Sequence, residues 1–208
     1  MPIDFFIYGA GGHSKVVYDA AKKSCEEYSI AFLDGDSERI GYSVIDGVAV
    51  VREEHYTYQS ASFHVAIGNN LARKEVSERL LSAGNQLITI IHPNSSVSSF
   101  AKIEEGCFIA AQTIIGPDVV LSSSVIVNHG AIVDHDCYIG AFSHIAPNVT
   151  LGGGVNVGQN CLVGAGAVVL PGVTVGNDVI IAAGAVVISD VADGLTIIGV
   201  PGKMKQNE

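Results

Sequence analysis

Residues 133–187 read VDHDCYIGAFSHIAPNVTLGGGVNVGQNCLVGAGAVVLPGVTVGNDVIIAAGAVV. An aliphatic residue falls on every sixth position of this run. The register extends back to Val97 without a slip, through Ile103, Ile109, Ile115, Leu121 and Val127, which makes sixteen aliphatic positions in all. Four positions after each comes a small or β-branched residue, such as Cys107, Thr113, Ala131, Cys137, Ser143 and Cys161. A period of six is neither the 3.6 of a helix nor the alternation of an ordinary strand. It is the mark of a parallel β-helix in which each hexapeptide supplies a short strand and a corner. The aliphatic side chain points inward and stacks on its equivalent in the next coil. The position four later must be small because the prism interior is narrow. Glycines at the corners, as in Gly152-Gly153-Gly154, permit backbone angles that other residues resist.

The first ninety residues follow another rule. Short apolar runs at 3–8, 30–33, 63–67 and 87–91 read as strands, and 16–23 and about 71–83 read as helices. Strands alternating with helices predict a small parallel, Rossmann-like α/β sheet. His92-Pro93 marks the boundary, because the residue before proline is pushed out of helical geometry. The expected domains are therefore 1–92 and 93–208.

Composition narrows the function classes. With 48% hydrophobic and 15% charged residues the chain can bury a large core. A net charge of −10 disfavours binding to a nucleic-acid backbone. It leaves room for a small anion held by local amides and a few cations. The start MPIDFFIYGAGGH has no signal-peptide pattern, and no apolar run is long enough to span a bilayer. The four cysteines at 25, 107, 137 and 161 form neither CxxC nor a dense framework. Reduced thiols in a cytoplasmic protein are expected, and Cys107, Cys137 and Cys161 take the inward small position as structural thiols.

His135 falls two places after inward Val133 and so on a corner, flanked by Asp134 and Asp136, where it reads either as a general base or as a solvated corner residue. A neutral imidazole can take a proton near neutral pH, and a carboxylate on its other nitrogen fixes the tautomer. Gly9-Ala10-Gly11-Gly12 after the first strand can bring backbone amides to a phosphate, or can be only a tight turn.

These residues carry a resemblance. GAGGHSKVV at 9–17, FLDGD at 32–36, AIGNNLARK at 66–74, IHP at 91–93, VDHDCYIG at 133–140 and IGVPGK at 198–203 occur in this order. The chain resembles the sugar O-/N-acyltransferase family of sialic acid and bacillosamine pathways, hexapeptide-repeat acetyltransferases of glycan biosynthesis. The resemblance implies a left-handed β-helix, a homotrimer with sites between subunits, and acetyl-CoA as co-substrate. It implies His135 as general base with Asp136 as its partner. It places a sugar nucleotide, UDP-linked by preference, at Gly11, Gly12, His13, Lys15, Asp34, Asp36, Gly68, Asn69 and Arg73, with Asn128 near the site. It places the coenzyme near His144, Gly153, Ala165, Ala183 and Lys203. On the residues alone, Arg73 reads equally as a solvated helix residue, and Lys203 as an exposed lysine. The implied reaction is N-acetylation of a nucleotide-linked 4-amino sugar. O-acetylation of sialic acid is the near rival, and a non-catalytic repeat protein a more distant one. A zinc enzyme of the γ-carbonic-anhydrase kind would need converging histidines, and no HxxxxH pair occurs, so no metal is expected.

Overall fold

A computed structural model describes residues 3–52 and 60–205. In the N-terminal part, β1 (Phe5–Tyr8), β2 (Ile30–Leu33), β5 (Ser62–Val65) and β6 (Gln86–Leu87) form one parallel sheet in the order β2-β1-β5-β6. A small antiparallel pair, β3 (Ser43–Ile45) and β4 (Val48–Ala49), follows β2. All four residues of β1 are buried, as a central parallel strand covered on both faces requires. Helices α1 (Gly12–Ser24) and α2 (Asn70–Ser82) follow β1 and β5. The chain leaves β1 toward β2 on one side and returns as β5 on the other. The carboxyl ends of β1 and β5 therefore flank a topological switch point, where open α/β sheets hold ligands.

From Ile90 onward the chain is a β-helix of about six turns, consistent with the left-handed winding that the resemblance implies. Two-residue strands stack 18 residues apart, as Ile109 pairs with Val127 and Val127 with Ile145. Face one carries Ile90–Ile91, Phe108–Ile109, Ile126–Val127, His144–Ile145, Leu162–Val163 and Ile180–Ile181. Face two runs from Ser96–Val97 to Val186–Val187, and face three from Lys102–Ile103 to Thr174–Val175. The predicted inward residues from Ile109 to Val187 are all buried, and Cys107, Cys137 and Cys161 lie among them. From Gly106 to Gly184 every sixth residue has a positive φ. Glycine takes several of these slots. Gln112, Asp118, Ser124, Asp136, Phe142, Asn148, Asn160 and Asp178 take the others, and Asn and Asp tolerate this region best among non-glycine residues.

Two expectations shift. The apolar run 87–91 does not form one strand. Gln86–Leu87 joins the α/β sheet, whereas Ile90–Ile91 pairs with Phe108–Ile109 as the first rung of the solenoid. Moreover, Ile126, an outward wall position that like Ile114 and Val120 is expected to be exposed, is buried together with Ile90 and Phe108 in one cluster with Phe5, Ile7, Val17 and Phe32. The N-terminal domain thus packs on the upper part of face one. Lower on the same face, Leu162 and Ile180 remain exposed.

Candidate active site

His135 sits on the corner between faces two and three. Its backbone N–H donates to Asp134 Oδ1 at 2.8 Å, and its carbonyl accepts from Gly154 N at 2.8 Å. The imidazole is exposed, with Nδ1 2.7 Å from Asp136 Oδ2. Asp136 occupies the positive-φ slot of its hexapeptide, at φ 60°. The corner itself therefore sets the backbone from which the short aspartate arm reaches the adjacent ring. Hydrogen bonding to Asp136 raises the pKa of His135 above the ordinary histidine value, and the charge of Asp134 adds to it. Nδ1–H held by a carboxylate leaves Nε2 as the free basic atom.

A second constellation lies where face one meets the N-terminal domain. Asn128 Nδ2 is 3.2 Å from His144 Nε2, and its Oδ1 accepts from the backbone of exposed His129. The backbone of Gly68 is a further partner of the ring and raises its pKa. Burial, reinforced by the charge of Arg73, pushes the pKa of His144 down to about 4, so the ring stays neutral. Ala165 and Ala183, both exposed, stack 18 residues apart on the corner after face one. The Lys203–Met204 strand pairs with Thr196–Ile198 at the end of that face, with Lys203 exposed. Gly153 lies elsewhere, on the corner of His135.

The third constellation is the crevice at the switch point. Two confluent lobes of about 510 and 560 Å³ share Ala10, Gly11, Gly12, Asp36 and Arg39. Lys15 and Tyr42 line one, and His13, Asp34 and Gly68 the other. Gly11 caps α1 without a side-chain bond, and open space surrounds the Cβ positions of both Gly11 and Gly12. The unpaired first amides of a 13-residue helix therefore face the crevice, with Lys15 and Arg39 beside them. His13 is held neutral, its pKa pushed down to about 3 chiefly by burial.

Several expected ligand residues prove to be structural. Asp34 turns inward: Oδ2 accepts from Ala10 N at 2.7 Å and Oδ1 from Asp36 N at 2.9 Å, which ties the glycine turn to β2. Asn69 caps α2 through Ala72 N. Arg73 is not a wall of the crevice. Its guanidinium is fully buried and donates to the carbonyls of Ile67, Ser124 and Phe142 and to Asn70 Oδ1 at 2.6–3.0 Å. Asn70 Nδ2 in turn donates to Cys161 O at 2.9 Å. These two side chains bind α2 to the β-helix corners, and a charge so enclosed has no donor left for a ligand. Conversely, Arg39 was not anticipated. It donates to Ala10 O at 2.8 Å and stands 3.6 Å from Asp36. The mixed charges of DSER at 36–39 are its only trace in the sequence.

Comparisons with known proteins agree with this architecture. The PglD N-terminal domain family matches residues 4–80, and the bacterial transferase hexapeptide family, as six repeats, matches 154–189. The UDP-N-acetylbacillosamine N-acetyltransferase of Bacillus subtilis (strain 168) is 35% identical over 108 residues, a stretch covering half of this chain and half of that curated relative's length. The acetyltransferase domain of PglB from Neisseria gonorrhoeae FA1090 is 37% identical over 97% of this chain and 98% of its own, with a TM-score of 0.90, and has also been solved in complex with acetyl coenzyme A. A histidine-to-alanine mutant of the GDP-perosamine N-acetyltransferase from Caulobacter crescentus, in complex with CoA and GDP-perosamine, is 36% identical over 98% of this chain and 97% of its own, with a TM-score of 0.88. With near-complete coverage at this identity, the chain belongs to the hexapeptide-repeat sugar N-acetyltransferase family whose β-helix follows a PglD-type N-terminal domain.

Proposed function

We propose that this protein transfers the acetyl group of acetyl-CoA to the amino group of a nucleotide-linked 4-amino sugar, UDP-linked by preference, in the cytoplasm. The observation that carries this reading is the exposed His135 imidazole, 2.7 Å from Asp136 through Nδ1, in a chain whose other half offers a crevice of helix amides. Nε2 of His135 takes a proton from the sugar amine as nitrogen attacks the thioester carbonyl. The C–N bond forms, the tetrahedral intermediate expels CoA thiolate as the C–S bond breaks, and the proton passes to the thiolate. No enzyme nucleophile is needed. Burial pushes the thiol pKa of Cys107 up to about 12, and those of Cys137 and Cys161 upward. The coenzyme is proposed along the small-residue corner of Ala165 and Ala183, near His144, Asn128 and Lys203, with its thioester reaching toward Gly153. Thiol release from acetyl-CoA, assayed with UDP- and GDP-linked 4-amino sugars and with free sialic acid, tests the reading. Turnover on sialic acid alone overturns it.

The crevice is proposed for the nucleoside diphosphate of the acceptor, with its phosphates at the amides of α1 and its ribose or base at Asp36. Asp36 lines both lobes, and its backbone role is confined to the short turn it caps at Glu38. Asp36→Ala is expected to weaken the sugar nucleotide about tenfold and to leave acetyl-CoA unchanged, each measured by calorimetry. Equal loss of both refutes the division. Asp34→Ala is not an equivalent test, because it frees the amide of Ala10.

A homotrimer is proposed on two grounds. One chain carries His135 on the corner between faces two and three, whereas the crevice and the Ala165–Ala183 column adjoin face one. A neighbouring copy would bring the two together. Ile114, Leu162 and Ile180, exposed by 37–46%, suit lateral packing of β-helices. Sedimentation is expected to give three chains per particle, and a stable monomer at micromolar concentration overturns the shared site.

A further inference from the structure

The coils on either side of His135 hold it in different ways. The coil before supplies Gly116, where a Cβ would lie 2.7 Å from His135 N and 2.9 Å from Asp134 C. That contact is with backbone. The coil after supplies Gly153, 18 residues on, where a Cβ would lie 2.5 Å from both Cε1 and Nε2 of the ring and 3.2 Å from Cδ2. The three heavy atoms nearest to that position all belong to the imidazole.

Gly152, Gly153 and Gly154 have separate reasons to be glycine. A Cβ at Gly152 would strike the Pro171 ring, at 2.7 Å. Gly154 fills the positive-φ slot of its corner, at φ 70°. Gly153 has no positive φ, so its backbone admits any residue and only the space above it does not. That space holds the imidazole.

We infer that Gly153 is a positioning residue for His135: by lacking a Cβ it lets the imidazole rest on the next coil with Nδ1 in reach of Asp136. This inference rests on the reading of His135 as the base. The ring belongs to a side chain that is 58% exposed, so it has room to swing outward. A methyl group at 153 therefore displaces the ring rather than opening the coil, and the contact with Asp136 is lost with it. A displacement of about 1 Å in a reacting group can cost about a hundredfold in rate.

The test is Gly153→Ala in the full-length protein, with the His135 ring resonance assigned by its loss in His135→Ala. The melting temperature is expected to hold and kcat to fall about a hundredfold, with KM for the nucleotide sugar unchanged. In the NMR titration His135 should fall back toward the ordinary histidine value of about 6.5. An unchanged His135 titration overturns the inference, whatever the rate does, because a lost rate would then reflect direct obstruction of the coenzyme. A shifted titration with wild-type turnover supports the positioning and instead removes His135 as the base. In a second arm, adding Gly153→Ala to His135→Ala should leave the melting temperature unchanged. A fall shows that the methyl group meets something besides the ring, and overturns the inference.

Discussion

His135→Ala is expected to keep the fold and to lose about a hundredfold to ten-thousandfold in kcat, the usual loss when a general base is removed. The fold survives because nothing but the ring is deleted. The hydrogen bonds that shape this corner, His135 N to Asp134 and Gly154 N to His135 O, use main-chain atoms of residue 135. The side chain is outside the packed interior. Near wild-type turnover at neutral pH removes His135 from the chemistry. Asp136→Asn supplies the companion result. Asparagine accepts the φ of 60° but withdraws the charged acceptor that is the first cause of the raised pKa. The base is active only when deprotonated, so the acid limb of kcat/KM against pH should move to lower pH in the variant. The plateau should also fall, because the imidazolium formed during proton transfer loses its stabilising carboxylate. An acid limb that does not move would mean that Asp136 does not set this titration.

The repeat was legible because it is a periodic demand on residue type. Each inward position from Ile109 to Val187 must be aliphatic, and each is buried. The pair His135-Asp136 was legible for a related reason: both members lie on one corner, and adjacency in sequence became contact in space. Outward positions carry no such information. Ile126 and Ile180 are both isoleucines on face one, yet one lies beneath the N-terminal domain and the other is exposed. Only the docking of a segment more than a hundred residues upstream separates them. Arg73 fails for the same cause. A single arginine on a polar helix reads as solvated, and its burial depends on the carbonyls of Ser124 and Phe142, two corners stacked one coil apart. Asp34 shows a subtler limit. An acid after a strand in an α/β domain suits a ribose hydroxyl, but it equally suits a free backbone amide, and here Ala10 N takes it.

Acidification should destabilise this protein between about pH 6.5 and pH 4, beginning above the range in which ordinary carboxylates are protonated. His64 on β5 is fully buried, with Nδ1 donating to Ile88 O at 2.9 Å and Nε2 enclosed without a partner. Burial, against the hydrogen bond to Ile88 and with the charge of Arg73, pushes its pKa down to about 4. His13 and His144, pushed down to about 3 and about 4, share that environment. Folding keeps these rings neutral, while the unfolded chain binds protons near 6.5. The unfolded state thus takes up more protons as pH falls, and stability is full above about pH 6.5 and is lost toward pH 4. For His64 the loss at pH 5 is about 2 kcal/mol. His13 and His144 act in the same direction. His64→Gln isolates one ring, since an amide can still donate toward Ile88 and cannot take a proton. Urea unfolding at pH 7.5 and pH 5.0 should show a smaller drop in the variant than in the wild type, by about 2 kcal/mol. Equal drops would mean that His64 does not resist protonation in the folded state. The N-terminal domain would then be docked on the β-helix by Arg73, Asn70 and the apolar cluster, with no pH dependence from this ring.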